Sequence, residues 1–483
     1  MREVALIPKP DRIFAREFEW RHLASFAARG AESVQFGVVS GRRRQGKTFL
    51  LEALTRETGG FYFSATEATE AEALNMFSTA LWNYTGRPVP TRFADWDEAI
   101  TQMFAIADES GRPVVIDEFP YLSKVSPALP SIVQREIDRA ISRGGRLSLL
   151  LCGSAMSVMG GLLSGDAPLR GRATLELVLR PFDYPLAAKY WKLSDPALSA
   201  RVHAVVGGTP AYLRFLNGDV PTSPEDFDDW VVRTVLDPGT PLFREARYLL
   251  EEETDIRETA LYHSVLASVA AGNNTRGGIA SYIGRKTTDI GHHLNVLEDS
   301  CLLRREPDVF HPGRSVYRIA EPLINFYQVV MRPRWGLLES GRARPVWADA
   351  KARFQSQIMG PHFEELCRHF ALVEPVFGGL PGEVGAGTLT DPVQKAQVQV
   401  DVVVFAPAIP GEPRKVLSLG EAKWGDVMGK RHVERLRRAK ELLTRKGYDT
   451  RNTVLACYSA AGFEPTLRAE NDVRTIGMSD MYV

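Results

Sequence analysis

The chain lacks most of what would mark a secreted, membrane-embedded or nucleic-acid-coating protein. Its four cysteines (Cys152, Cys301, Cys367, Cys457) are scattered among 483 residues with no metal-type or redox spacing. That pattern points to reduced, buried thiols and a cytosolic protein. There is no excess of charge of either sign: 59 Lys and Arg balance 59 Asp and Glu. No global basic field is available, so any nucleic-acid site must be local. No apolar run is long enough to span a bilayer, and the opening MREVALIPKPDR has no signal-peptide core. The expected location is therefore cytoplasmic, with no membrane partner. No short internal repeat is apparent. What remains, 44% hydrophobic and 24% charged residues, fits a soluble globular chain, and its length suggests about two to four domains.

Residues 34–51 read VQFGVVSGRRRQGKTFLL. An apolar run (Val34, Phe36, Val38, Val39) predicts a buried strand. It breaks at Ser40 and Gly41, loops through Arg42, Arg43, Arg44 and Gln45, and resumes at Gly46, Lys47 and Thr48 as a helix start. Gly41-x-x-x-x-Gly46-Lys47-Thr48 is the phosphate-binding loop pattern. Glycines let the backbone turn its N–H groups toward a phosphate, and the helix N-terminus adds a positive dipole end. Lys47 would reach the β- and γ-phosphates of ATP, and Thr48 would hold Mg²⁺.

The next informative strand, PVVIDE, ends in Asp117 and Glu118. Such a pair suits a Mg²⁺–ATP hydrolase: Asp117 for the metal shell, Glu118 for the attacking water. A further strand over 147–152 ends in Gly153-Ser154, where Ser154 either senses the γ-phosphate or caps a helix. Arg170 and Arg172 follow; either could bring charge to the transition state, though lone arginines are more often surface groups. The expected nucleotide-binding set is Gly41, Gln45, Gly46, Lys47, Thr48, Asp117 and Ser154, with Thr48 and Asp117 on the metal. Alternating strands and helices imply a parallel sheet sandwiched by helices.

The FAREFEW opening, GRRRQGKT, VVIDEF and LLLCGS together resemble the prokaryotic archaeal-type P-loop ATPases of the STAND/AAA-like group, over roughly residues 14–215. Gly207-Gly208-Thr209-Pro210 resembles the Gly-x-Pro motif of the STAND helical lid. The resemblance implies that ATP switches the relation between core and lid. Read physically, GGTP is a turn between two helices.

A boundary at residues 237–241 (DPGTP) precedes an acidic helix near 245–253 and then a compact module. Helices are expected over 261–269, 276–283 and 286–298. A hairpin is expected from 302–305 and 316–319, turning at Pro312-Gly313. Three helices and a hairpin resemble a winged helix. Its third helix offers Lys286, His292, His293 and Asn295 to DNA, or serves only as a packing spacer.

From residue 345 the pattern changes again. An amphipathic helix over 354–370 carries Glu364 at the border of its apolar stripe. A Gly- and Pro-rich loop over 378–387 follows, then a strand with Asp401 inside it and another ending Glu421-Ala422-Lys423. Buried strands rarely carry carboxylates without a partner, and two on neighbouring strands would repel unless a cation lay between them. Mg²⁺ at Asp401 and Glu421 would meet that need, and Lys423, on the same strand face as Glu421, could touch the same water. Residues 430–446 hold eight Lys or Arg against Glu434 and Glu441. That is either a solvated face or a phosphate-contacting one.

Asp401, Glu421 and Lys423 resemble the motif of the PD-(D/E)xK nuclease superfamily over about residues 347–458. Glu364 matches the glutamate that many members place on the preceding helix. Gln399-Val400 before Asp401 departs from the proline-containing form. The resemblance implies catalytic roles for Glu364, Asp401, Glu421 and Lys423.

The expected architecture is α/β. It comprises a P-loop NTPase parallel sheet over 1–185, a helical lid over 186–250, a winged helix over 255–330, and a C-terminal α/β restriction-endonuclease-like domain over 345–483. The expected function is an ATP-binding and hydrolysing switch coupled to DNA binding and Mg²⁺-dependent DNA cleavage. Its rival is a regulatory or scaffold ATPase without nuclease activity, whose winged helix binds DNA or a partner protein. ATP and Mg²⁺ are the expected cofactors, and a homo-oligomer would supply an arginine from a neighbour.

Overall fold

The computed structural model describes residues 7–86, 92–251, 259–468, 470 and 472–482. The chain divides into two compact units, one ending at Pro181 and the other beginning at Phe182.

The first unit alternates α1 (Glu17–Gly30), β1 (Val34–Ser40), α2 (Lys47–Thr58), β2 (Phe61–Ser64), α3 (Glu70–Thr85), α4 (Trp96–Ser110), β3 (Pro113–Asp117), α5 (Phe119–Val125), α6 (Leu129–Ser142), β4 (Leu147–Gly153), α7 (Met156–Gly161) and β5 (Leu175–Val178). The strands form one parallel sheet in the order β2-β3-β4-β1-β5. Their side chains alternate between two apolar layers. Phe36, Leu149 and Leu151 pack with α3, α4 and α6, while Val39, Leu150 and Cys152 pack with α1 and α2. Burial on both faces is why these strands read as continuous apolar runs, as parallel sheets require. The register aligns Ser40 with Gly153 and Val178, and Ser64 with Asp117, so the polar strand ends gather along one sheet edge. In open α/β sheets ligands bind at that carboxyl edge.

The second unit opens with α8 (Tyr184–Trp191), α9 (Pro196–Val206), α10 (Ala211–Phe215), α11 (Phe227–Arg233) and α12 (Pro241–Glu251). It continues with α13 (Thr259–Ala270), α14 (Arg276–Tyr282), α15 (Gly291–Asp299), and a hairpin of β6 (Leu303–Asp308) with β7 (His311–Ile319). Next come α16 (Pro322–Phe326), α17 (Trp335–Glu339), α18 (Ala343–Arg353) and α19 (Gly360–Val373). The chain ends with β8 (Glu383–Asp391), β9 (Ala396–Phe405), β10 (Val416–Lys423), α20 (Lys430–Arg445), β11 (Val454–Ser459), α21 (Pro465–Arg468), β12 (Val473–Ile476) and α22 (Met478–Met481). These last strands form a sheet in the order β12-β11-β10-β9-β8, antiparallel from β8 to β10 and parallel from β10 to β12.

Several sequence expectations are corrected here. The stretch read as a loop over 378–387 contains the start of β8. Its glycines hid the strand, and they are there for packing. A Cβ on Gly385 would lie 2.5 Å from Val309 Cγ1, and one on Gly387 2.4 Å from Phe310 Cδ2. Glycine within a strand commonly marks such a close approach. The hairpin turns at Val309-Phe310 rather than at Pro312-Gly313, which lies within β7. Asp308 makes the turn by accepting from the N–H groups of Phe310 and His311. The third helix of the module begins at Gly291, leaving Lys286 before it. The helix expected over 354–370 is π-helical over Phe354–Met359 before α19 begins. Pro361, which has no N–H to donate, interrupts the regular ladder there. The end of the acidic helix expected near 253 falls outside the described residues. GGTP is a turn between α9 and α10, and a Cβ on Gly208 would collide with the Phe182 carbonyl oxygen at 1.8 Å.

Candidate functional site

The first site lies at the carboxyl edge of the parallel sheet. β1 ends at Ser40 and the chain wraps through residues 41–46 before α2 begins. Gly46 precedes α2 with φ 91° and Gly41 has φ 149°, where a Cβ would lie 2.6 Å from the Leu179 carbonyl oxygen. Both glycines are therefore demanded by the loop's shape. Lys47 opens α2 with its side chain folded back over the loop, donating from Nζ to the carbonyls of Gly41 (2.6 Å) and Arg42 (3.0 Å). It is buried, and burial pulls its pKa down against the opposing pull of Cys152, Glu118 and Asp117. Gln45 is buried, and its backbone carbonyl accepts from Arg16 Nη2 at 3.3 Å.

Thr48 Oγ1 donates to Asp117 Oδ2 at 2.7 Å, so the helix start and the β3 tip meet. The same Asp117 oxygen accepts from Tyr62 Oη at 2.7 Å, and Oδ1 accepts from the Glu118 N–H at 2.9 Å. Glu118 sits at φ 52° and ψ 41°, a left-handed conformation that a non-glycine residue adopts at a cost of about 1–3 kcal/mol. β4 lies between β1 and β3, so its tip brings Ser154 between the loop and the acids. Ser154 Oγ donates to Glu118 Oε2 at 3.0 Å, and the Ser154 N–H points to the same oxygen at 3.4 Å. The expected residues Gly41, Gln45, Gly46, Lys47, Thr48, Asp117, Glu118 and Ser154 thus share one sheet edge. Hard oxygens from Thr48 and Asp117 converge there, a donor set that fits Mg²⁺. Arg172 is committed elsewhere, bidentate to Asp138 at 2.8 Å through each nitrogen, and Arg170 donates to the Gly165 carbonyl.

Two residues of this site were not found from the sequence. Tyr62 is on β2, and only the pairing of Ser64 with Asp117 brings it to the acid. Burial raises its pKa, and Asp117 raises it further, so it stays a hydrogen-bond donor. Arg16, left-handed at φ 67°, precedes α1 and also donates to the Arg180 carbonyl at 2.8 Å, tying the loop to the end of this unit. The FAREFEW opening was the only hint of it.

The second site lies on β9, β10, α19 and α20. Asp401 and Glu421 are almost wholly buried. Asp401 Oδ2 accepts from the Ala422 N–H at 3.1 Å and lies 3.3 Å from Lys423 Nζ, which is 3.0 Å from Glu421 Oε1. Glu421 Oε2 is 2.7 Å from Arg435 Nη2 on α20. Glu364 Oε2 lies 3.4 Å from Arg318 of the hairpin and 3.8 Å from Arg368. Burial raises the Glu364 pKa, and nearby Asp401 raises it further. Burial alone would lower the Lys423 pKa, but Asp401 and Glu421 outweigh it and hold the ammonium charged. Glu364, Asp401, Glu421 and Lys423 are therefore close enough to act as one electrostatic unit. Among the described residues no three His, Cys, Asp or Glu side chains are arranged as a ready metal site. Two carboxylates converge on one cation position, which Lys423 Nζ takes. On α15, His292 and Asn295 are exposed, while His293 packs against the Tyr262 ring.

Residues 13–215 match the family model described as an ATPase domain predominantly from Archaea. An uncharacterized protein of Methanocaldococcus jannaschii is 26% identical over 351 residues, covering 71% of this chain and 74% of its own length. A Walker-type ATPase of Pyrococcus abyssi shares 19% identity with a TM-score of 0.52, over 66% of this chain and 97% of that one. The Aeropyrum pernix ORC2 protein, in ADPNP–ADP complexes, shares 15% identity with a TM-score of 0.42, over 72% and 97% respectively. No helix among the described residues is long and apolar enough to cross a membrane.

Proposed function

We propose that the chain, whose residues 13–215 match an ATPase domain family, is an ATP-driven switch whose second unit carries a winged helix and a PD-(D/E)xK-type acid site for DNA phosphodiesters. In this reading Lys47 gives up the Gly41 and Arg42 carbonyls for the β- and γ-phosphates of ATP. Thr48 and Asp117 would hold Mg²⁺, which supplies charge neutralisation on the phosphates. Glu118 aligns the attacking water and takes its proton, once its carboxylate turns from Ser154 to that water. Ser154, released from Glu118, is then placed to donate to the γ-phosphate.

The observation that carries the second half is the meeting of Asp401 Oδ2 and Glu421 Oε1 at Lys423 Nζ, with Glu364 beside them. The order of α19, β8, β9, β10, α20 and β11 supports the same reading. The hairpin and α13–α15 support a winged helix that grips DNA or a partner protein. Arg170 and Arg172 are tied down locally, which supports a self-associated form in which a neighbour supplies an arginine. The scattered spacing of the four cysteines along the sequence supports a cytoplasmic location.

The test is the purified protein with labelled linear and branched DNA, in Mg²⁺ or Mn²⁺, with and without ATP. Metal-dependent cutting that disappears in Glu421→Ala is the expected result, and Lys47→Ala then shows whether ATP gates it. Intact ATP hydrolysis with no cutting would instead favour a regulatory ATPase without nuclease activity. One observation favours that second reading: Lys423 and Arg435 already neutralise the two buried acids.

A further inference from the structure

Resting on the acid-site reading above, we infer that Arg435 is a phosphate-binding residue held in reserve on Glu421, so that metal entry and phosphodiester binding are coupled through one side-chain exchange. Glu421 is fully buried on β10, and no backbone N–H among the described residues is given to its oxygens. It is satisfied only by two cations, Lys423 at 3.0 Å and Arg435 at 2.7 Å. Both partners are long, displaceable side chains rather than fixed backbone donors, so the carboxylate can exchange one cation for another.

The two cations differ in what they can do. Lys423 is on the same strand as Glu421 and also contacts Asp401. Arg435 projects from α20, is 45% exposed, and has one further weak contact to the Gln399 carbonyl at 3.4 Å. Its helix is pinned by Val433, Leu436, Ala439, Leu442 and Leu443, so the backbone stays while the guanidinium swings. Two other arginines of that helix are occupied elsewhere. Arg437 pairs with Glu470 and Asp472, and Arg438 with Asp391 and Glu441. Arg435 is thus the member of the basic run that reaches the acids.

A divalent cation between Asp401 Oδ2 and Glu421 Oε1 would stand where Lys423 Nζ stands, and its charge against Glu421 would weaken the hold of Oε2 on Arg435. The freed guanidinium lies at the mouth of the acid site, where its planar fork suits two phosphate oxygens. A DNA phosphate approaching that position withdraws Arg435 from Glu421 in turn, opening the carboxylate to the metal. Each ligand therefore favours the other, as linkage requires.

The full chain and its Arg435→Gln, Arg435→Lys and Arg437→Gln variants would be titrated with Mn²⁺ alone by calorimetry. Each would then be titrated with labelled duplex DNA in Ca²⁺ over a range of salt, with thermal unfolding confirming the fold. Arg435→Gln is expected to bind Mn²⁺ about tenfold more tightly, since a like charge beside the metal position is gone. Its DNA binding should weaken, and the salt dependence should lose about one unit of slope. Arg435→Lys should fall between, and Arg437→Gln should leave Mn²⁺ binding unchanged. Unchanged or weaker Mn²⁺ binding by Arg435→Gln, or an unchanged salt slope, overturns the role of Arg435 while leaving the acid site standing. A wild-type chain that takes up no Mn²⁺ overturns the acid-site reading itself, and this inference with it.

Discussion

The two carboxylate centres satisfy their acids in opposite ways. At the P-loop edge, Asp117 and Glu118 are held by neutral donors: the hydroxyls of Thr48, Tyr62 and Ser154 and two backbone N–H groups. Lys47 is nearby but is bonded to carbonyls instead. In the second unit, Glu421 and Glu364 face cations, Lys423, Arg435, Arg318 and Arg368, while Asp401 shares Lys423 and accepts from the Ala422 N–H and the Gln399 amide. Neutral donors orient a carboxylate without cancelling its charge, so the first centre keeps its attraction for a metal–nucleotide. Cations cancel the charge, so the second centre must rearrange before it can bind a metal. Two clusters of acids at sheet edges are thus poised differently: one needs only its ligand, and the other needs a displacement first.

The largest test of that contrast is Glu118→Gln. An amide still accepts the Ser154 hydrogen bond but cannot take a proton, so hydrolysis should fall by about 10²–10⁴-fold with ATP binding retained. Hydrolysis near the wild-type rate would remove Glu118 from the mechanism. Next is Glu421→Ala, which removes the anion from Arg435 and leaves Lys423 with Asp401 alone. A loss of about 1–3 kcal/mol is expected, read as a lower unfolding midpoint in denaturant. Thr48→Val, at the neutral-donor centre, should cost less stability than that, and equal costs would erase the contrast.

A smaller effect is expected for Tyr62→Phe. Loss of one hydrogen bond to Asp117 should cost about 0.5–1.5 kcal/mol of metal–nucleotide binding. The readout is Mn²⁺ binding in the presence of ADP, with nucleotide binding in EDTA unaffected. The smallest test is pH. In the second unit His203 Nδ1 and His362 Nε2 lie 3.0 Å apart. Burial, with mutual repulsion on His203, lowers their pKa values to about 3 and about 4 from the usual 6.5. The unfolded chain therefore takes up these protons first. Stability is full above pH 6.5 and falls as pH drops toward 4. His362→Gln should flatten that fall in thermal unfolding, and an unchanged slope would dismiss the pair as its source.

The first centre was largely legible because its chemistry is contiguous: eight residues carry the loop, and Asp117-Glu118 close one strand. Tyr62 and Arg16 were not, because each reaches the site through strand pairing or a backbone reversal that no local pattern announces. In the second unit the acids were visible as charges inside apolar strands. Their partners were not, since Arg318, Arg368 and Arg435 are surface-type residues whose long side chains take direction only from the packed elements. The basic run over 430–446 showed charge but not which member turns inward. β8 was hidden for a related reason: Gly385 and Gly387 look like loop residues until the Val309-Phe310 turn is seen lying on them.

That turn has a practical bearing on how the chain can be cut. β8 is an outer strand of its sheet, and the hairpin covers it: the Val309 N–H donates to the Ala386 carbonyl, and the Thr388 N–H to Asp308. A fragment beginning near residue 345 would keep every acid of the second centre yet strip this cover. It would bare an unpaired edge with two glycine notches beside Leu389 and Val398, a template for strand addition by another copy. Such a fragment should precipitate or form strand-paired oligomers on expression. One that begins before α13 keeps the hairpin and should remain in solution.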